Sequence, residues 1–100
     1  MTINGKTYKE PELDFNAICD LEELGVNIFQ ADKRRFSICR AYLAYVAGID
    51  LEDAGKEIEA HMANGGKFLD VYEAMTKSLT ESGFFKASRK ALNEETEIEE

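Results

Sequence analysis

Phe36-Ser37-Ile38-Cys39-Arg40-Ala41-Tyr42-Leu43-Ala44-Tyr45-Val46-Ala47-Gly48-Ile49 is the stretch on which the fold turns. Phe36, Cys39, Leu43 and Val46 recur at i, i+3, i+7 and i+10, the spacing of one helix face. Beside them Ile38, Tyr42, Tyr45 and Ile49 recur at i, i+4, i+7 and i+11. Two stripes cover more of a helix than one core contact requires. This helix, expected from Lys33 to Ala47 with Asp32 as its cap, is therefore either central in a bundle or presents a face to a partner. In the second case Ile38, Tyr42, Tyr45 and Ile49 form the candidate protein-binding surface, a patch of roughly several hundred Å² that monomers seldom leave open. Tyrosine suits such a surface, because its ring contributes apolar area while its hydroxyl tolerates water.

Outward from this helix, the local signals mark its neighbours. Asn4-Gly5 is a two-residue turn signal between strand-compatible residues, so about the first ten residues read as a β-hairpin. Pro11 closes that segment. Asp14 then caps a helix that places Ala17, Ile18, Leu21 and Leu24 on one side and stops at Gly25. After Gly48, Asp50 and Asp53 suit the start of a helix that buries Leu51, Ala54, Ile58 and Met62 and ends at Asn64-Gly65-Gly66. Phe68, Tyr72, Met75 and Leu79 mark a fourth helix broken at Ser82 or Gly83, and Phe84, Phe85, Ala87, Ala91 and Leu92 a short fifth. The expected fold is mainly α: a four- to five-helix domain with an N-terminal hairpin over residues 1 to 92, followed by an acidic, disordered tail over 93 to 100.

One hundred residues, 44% of them apolar, suffice for one core and leave no room for a second domain. The net charge of -8 owes five carboxylates to Glu94, Glu95, Glu97, Glu99 and Glu100, and without them the balance is -3. Apart from the Lys33-Arg34-Arg35 run there is no basic stripe, so nucleic acid and anionic membrane are poor partners. No stretch approaches the roughly 18 apolar residues of a membrane span, and the N-terminus has no apolar leader segment. Cys19 and Cys39 sit inside apolar helical patterns without zinc-ligand spacing and read as free thiols of a reducing cytoplasm.

Chemistry finds no foothold in this pattern. A catalytic set needs a nucleophile, a base and a group to orient it, and the one histidine, His61, has no such motif around it. The stretch starting at Asp50 puts Gly55 at the sixth position of a calcium loop, but Glu52 and Ala54 stand where ligands belong and His61 replaces the bidentate glutamate. Asn64-Gly65-Gly66-Lys67 resembles part of a phosphate loop, yet His61 replaces the first glycine and Phe68 the Ser or Thr that follows the lysine. No catalytic, cofactor-binding or metal-binding residue is expected. Phe84 and Phe85 are different: adjacent residues on a helix point about 100° apart, so one short helix has difficulty burying both, and the pair is a second candidate for protein binding.

Three segments together carry a resemblance. Leu13-Asp14-Phe15-Asn16-Ala17-Ile18-Cys19-Asp20-Leu21-Glu22-Glu23-Leu24-Gly25, the run from Asp50-Leu51-Glu52-Asp53-Ala54-Gly55 through Asn64-Gly65-Gly66, and Glu81-Ser82-Gly83-Phe84-Phe85-Lys86 resemble, in order and spacing, the tail assembly chaperones of long-tailed, siphovirus-type phages and prophages. The likeness covers roughly Ile3 to Leu92, with Lys67 standing where a helix-capping Ser or Asp is expected. It implies a non-enzymatic protein of the host cytoplasm, absent from the mature virion. Such a protein binds the tape-measure protein, and often tail-tube subunits, during tail assembly. It also implies a longer form of the same chain made by ribosomal frameshifting near its end. No family binding residue is transferred by position.

The residues keep a second reading open, a small acidic helical adaptor that occupies a basic surface of a regulatory protein through its carboxylates. Moderate salt would abolish that mode of binding and leave apolar docking intact. If the second stripe is exposed, it and the open edge of the hairpin further predict a homo-oligomer.

Overall fold

The computed structural model describes residues 1–25, 27, 33–83 and 86. Its elements are β1 (Thr2–Ile3), β2 (Lys6–Thr7), α1 (Phe15–Glu23), α2 (Arg35–Ala47), α3 (Leu51–Ala63) and α4 (Phe68–Glu81). The mainly α fold with its short N-terminal hairpin is the one expected. The fifth helix and the tail from 93 to 100 lie outside the described residues.

In the hairpin Thr2 faces Thr7 and Ile3 faces Lys6. Asn4 and Gly5 both take positive φ, 53° and 78°, as a turn that matches the right-handed twist of two strands demands. A pair of such short strands is marginal alone. What holds it is Ile3, which has no accessible surface and brings β1 against α3 and α4.

The caps follow the local chemistry. Asp14 Oδ1 accepts the Ala17 amide at 2.9 Å and Asp50 Oδ1 accepts the Asp53 amide at 2.8 Å, each satisfying a donor that a helix start leaves orphaned. At the end of α3, Gly65 turns left-handed with φ 92°, and the Gly65 and Gly66 amides close onto the Met62 and His61 carbonyls. The start of α2 differs from expectation. Its N-cap is Arg34, which makes no side-chain cap bond, and Asp32 lies outside the described residues. At α4 the cap position is Lys67, and there the Asp70 carboxylate reaches back to accept the Lys67 amide at 3.1 Å.

α2 is the central element, packed on α1, α3 and α4. Ile38, Cys39, Ala41, Tyr42, Leu43 and Ala44 are all buried, which is why its sequence is apolar around most of its circumference. The Tyr42 hydroxyl meets Ser78 Oγ of α4 at 3.0 Å inside the core, so the polar end of a buried ring is satisfied. At the far end of α4, the buried Ser82 hydroxyl donates to the Leu13 carbonyl and ties the last turn to the segment before α1.

Candidate protein-binding surface

The stripe singled out for protein binding is divided by the fold. Ile38 and Tyr42 have no accessible surface and belong to the core, which corrects the expectation that they line an exposed patch. Three helices cover α2, and the stripe faces them. Tyr45 and Ile49 are half-buried and pack against the core's edge. Burial raises the Tyr45 phenol above its ordinary value, and the Asp20 and Asp14 carboxylates raise it further. Phe84 and Phe85 lie outside the described residues.

The apolar surface that is open sits elsewhere. Phe36, a member of the first apolar stripe, is 73% exposed, and Met62, expected buried, is 48% exposed. Phe36 lies in the first turn of α2, where it stacks on Phe68 of α4 with ring centroids 4.9 Å apart and planes tilted by 47°. Between them and α3 runs an open groove of about 250 Å³ lined by Phe36, Ser37, Arg40, Gly55, Ile58, Met62 and Phe68. Leu69, also 48% exposed, follows Phe68 in the same turn of α4. The Arg35 guanidinium lies 5.2 Å from the centroid of the Tyr72 ring, a distance suited to a cation over an aromatic face.

None of the groove residues was singled out for binding by periodicity. Two signals did exist. Phe68 and Leu69 are adjacent apolar residues on one helix, so both cannot face one core. Gly55 interrupts a helix interior without serving a turn, at a cost of roughly 0.5–1 kcal/mol relative to Ala.

The histidine is a clasp between elements. His61 Nδ1 accepts the Asn4 amide at 2.9 Å, which fixes the tautomer: Nε2 carries the proton and donates to Asp70 Oδ2 at 2.8 Å. This bond, then the Lys67 amide, holds the Asp70 carboxyl below its ordinary value. Asn4 Nδ2 donates to Glu57 at 3.3 Å and Lys6 pairs with the same carboxylate at 3.3 Å. These two bonds, Asn4 first, lower the Glu57 pKa. With both ring nitrogens engaged in holding the hairpin turn to α3 and α4, His61 has no free lone pair for proton abstraction. Among the described residues no group of three His, Cys, Asp or Glu side chains could hold a metal ion, and no helix is long and apolar enough to cross a membrane.

No family model, no curated protein and no solved structure matches this chain.

Proposed function

We propose that this chain is a non-enzymatic assembly factor that binds apolar helical segments of another protein. Following the resemblance of its three segments, we further propose a tail assembly chaperone whose client is a tape-measure protein. The observation that carries the reading is the open groove between α2, α3 and the start of α4, with Phe36 and Met62 on the surface. Large apolar side chains clustered at one corner mark interaction sites. A tape-measure protein is a long helical client whose amphipathic segments lack a partner until the tail tube encloses them. A small acidic binder in the host cytoplasm supplies a temporary apolar contact and, through its net charge of -8, keeps the complex in solution.

The test is co-expression with the product of a very long helical reading frame lying immediately downstream. Soluble complex with the natural chain, lost when Phe36→Asp and Met62→Lys are combined, supports the proposal. Both positions are exposed, and far-ultraviolet dichroism checks that the variant keeps its fold. A downstream protein whose solubility is the same with either chain overturns it.

A further inference from the structure

The groove has a chemistry more specific than apolar. Its lining holds one charged side chain, Arg40, and no acid, in a chain where acids outnumber bases by 20 to 12. Arg40 is exposed and has no ion pair among the described residues, where the pairs are Met1 with Glu10, Lys6 with Glu57, Lys56 with Glu52, and His61 with Asp70. Next to it, Gly55 sits in the middle of α3. A Cβ there would meet Arg40 Cδ at 3.5 Å, an ordinary contact, so nothing among the described residues requires glycine. A helix-interior glycine without an internal reason fits a place where another backbone comes close.

The walls also restrict the shape of the occupant. They are helices, and apart from the leading amides of α2 and α4 in the first turns that hold Phe36, Ser37 and Phe68 they offer side chains. No strand lines the groove, so a peptide cannot dock there by adding to a sheet. A helix brings its own hydrogen bonds. From Gly55 to Met62 the groove runs about 10 Å at 1.5 Å per residue, two turns of helix.

The geometry points to an amphipathic helix as the occupant, its apolar face on Phe36, Ile58, Met62 and Phe68, its backbone closest at Gly55, and a Glu or Asp on its flank paired with Arg40. This rests on the helix-binding function proposed above and names the partner that function selects. Arg40 is suited to the task, because a guanidinium meets a carboxylate through two parallel bonds while its stem stays on the apolar floor.

Two synthetic peptides with the same leucine face, one flanked by Glu and the other by Lys, test it by fluorescence anisotropy at low and moderate salt. The Glu peptide is expected to bind at least tenfold more tightly. Arg40→Glu should reverse the preference, and Gly55→Leu should weaken both peptides at least tenfold. Gly55→Leu is to be checked by dichroism for an intact helical fold, and Gly55→Ala, with the smaller side chain, provides the second variant at that position. Equal binding of both peptides, unchanged by Arg40→Glu, overturns the carboxylate pairing and leaves helix binding standing. Tight binding undiminished by either Gly55 variant overturns the close approach. Binding of neither peptide overturns both this inference and the function it rests on.

Discussion

Replacing Tyr42 by Lys decides whether the aromatic stripe of α2 is core or surface. The ring has no accessible surface and its hydroxyl is bonded to Ser78 at 3.0 Å. Removing it forfeits the packing of a buried aromatic, about 3–5 kcal/mol when truncated to Ala. The lysine must either bury an unpaired ammonium, at several kcal/mol, or bind as the neutral amine. The second route costs roughly 1.4 kcal/mol for each unit between an ordinary lysine pKa and the working pH, about 4–5 kcal/mol near neutrality. Together these approach or exceed the ~5–15 kcal/mol that holds a domain of this size. Tyr42→Lys is therefore expected to be unfolded in dilute buffer. Tyr42→Phe leaves the Ser78 hydroxyl without its partner, costs about 1–3 kcal/mol, and should lower the melting temperature by roughly 4–8 °C for each kcal/mol lost. Tyr45→Lys, at a half-buried site on the edge, should stay folded. Urea titration followed by far-ultraviolet dichroism separates the three. A Tyr42→Lys chain with the natural midpoint would refute the central placement of α2 and return the stripe to the surface.

Three further outcomes follow from particular contacts. Burial pushes the Cys39 thiol from 9.0 to about 12, with Arg35 opposing; its stabilising effect is complete below pH 9 and falls as pH rises toward 12, because the unfolded thiol ionises first. Native protein should accordingly modify quickly at the partly exposed Cys19 and at Cys39 only on unfolding, and equal labelling rates would contradict the burial. Asp70, held below its ordinary value by His61 and the Lys67 amide, stabilises the fold above the usual carboxylate range and loses that effect as pH falls through its lowered pKa; Asp70→Asn should flatten the acid limb of stability against pH, and an unchanged limb would count against the clasp. Gly66→Ala would drive a Cβ into the His61 imidazole and is expected to cost about 1–3 kcal/mol, with a natural urea midpoint as the contrary result.

Much of the architecture was legible because its signals are local. Asn4-Gly5, Asp14, Asp50 and Gly65 each act within a few residues of themselves, and each does in the structure what its chemistry predicts. The start of α2 was less legible, since Arg34 occupies the cap position without a side-chain bond. Periodicity shows which side chains share a face. It does not show whether another element covers that face. Ile38 and Tyr42 were offered as a candidate surface and are core, while Met62 was expected buried and, like Phe36 of the first stripe, is open. Long-range pairings such as Tyr42 with Ser78, Ser82 with Leu13 and His61 with Asn4 leave no trace in spacing, because each joins residues more than 30 positions apart.

The groove as a protein-binding site is tested most directly through its methionine. The chain has three, Met1, Met62 and Met75. Met75 is fully buried in the core, and Met62 is on the surface in the groove. With carbon-13 in the methionine methyl groups, each residue reports as one resonance during titration with the Glu-flanked amphipathic peptide. The Met62 methyl is expected to shift progressively to saturation while Met1 and Met75 stay in place, and Phe36→Asp is expected to abolish the shift. A Met62 resonance unmoved while the peptide demonstrably binds would place the interface outside this groove.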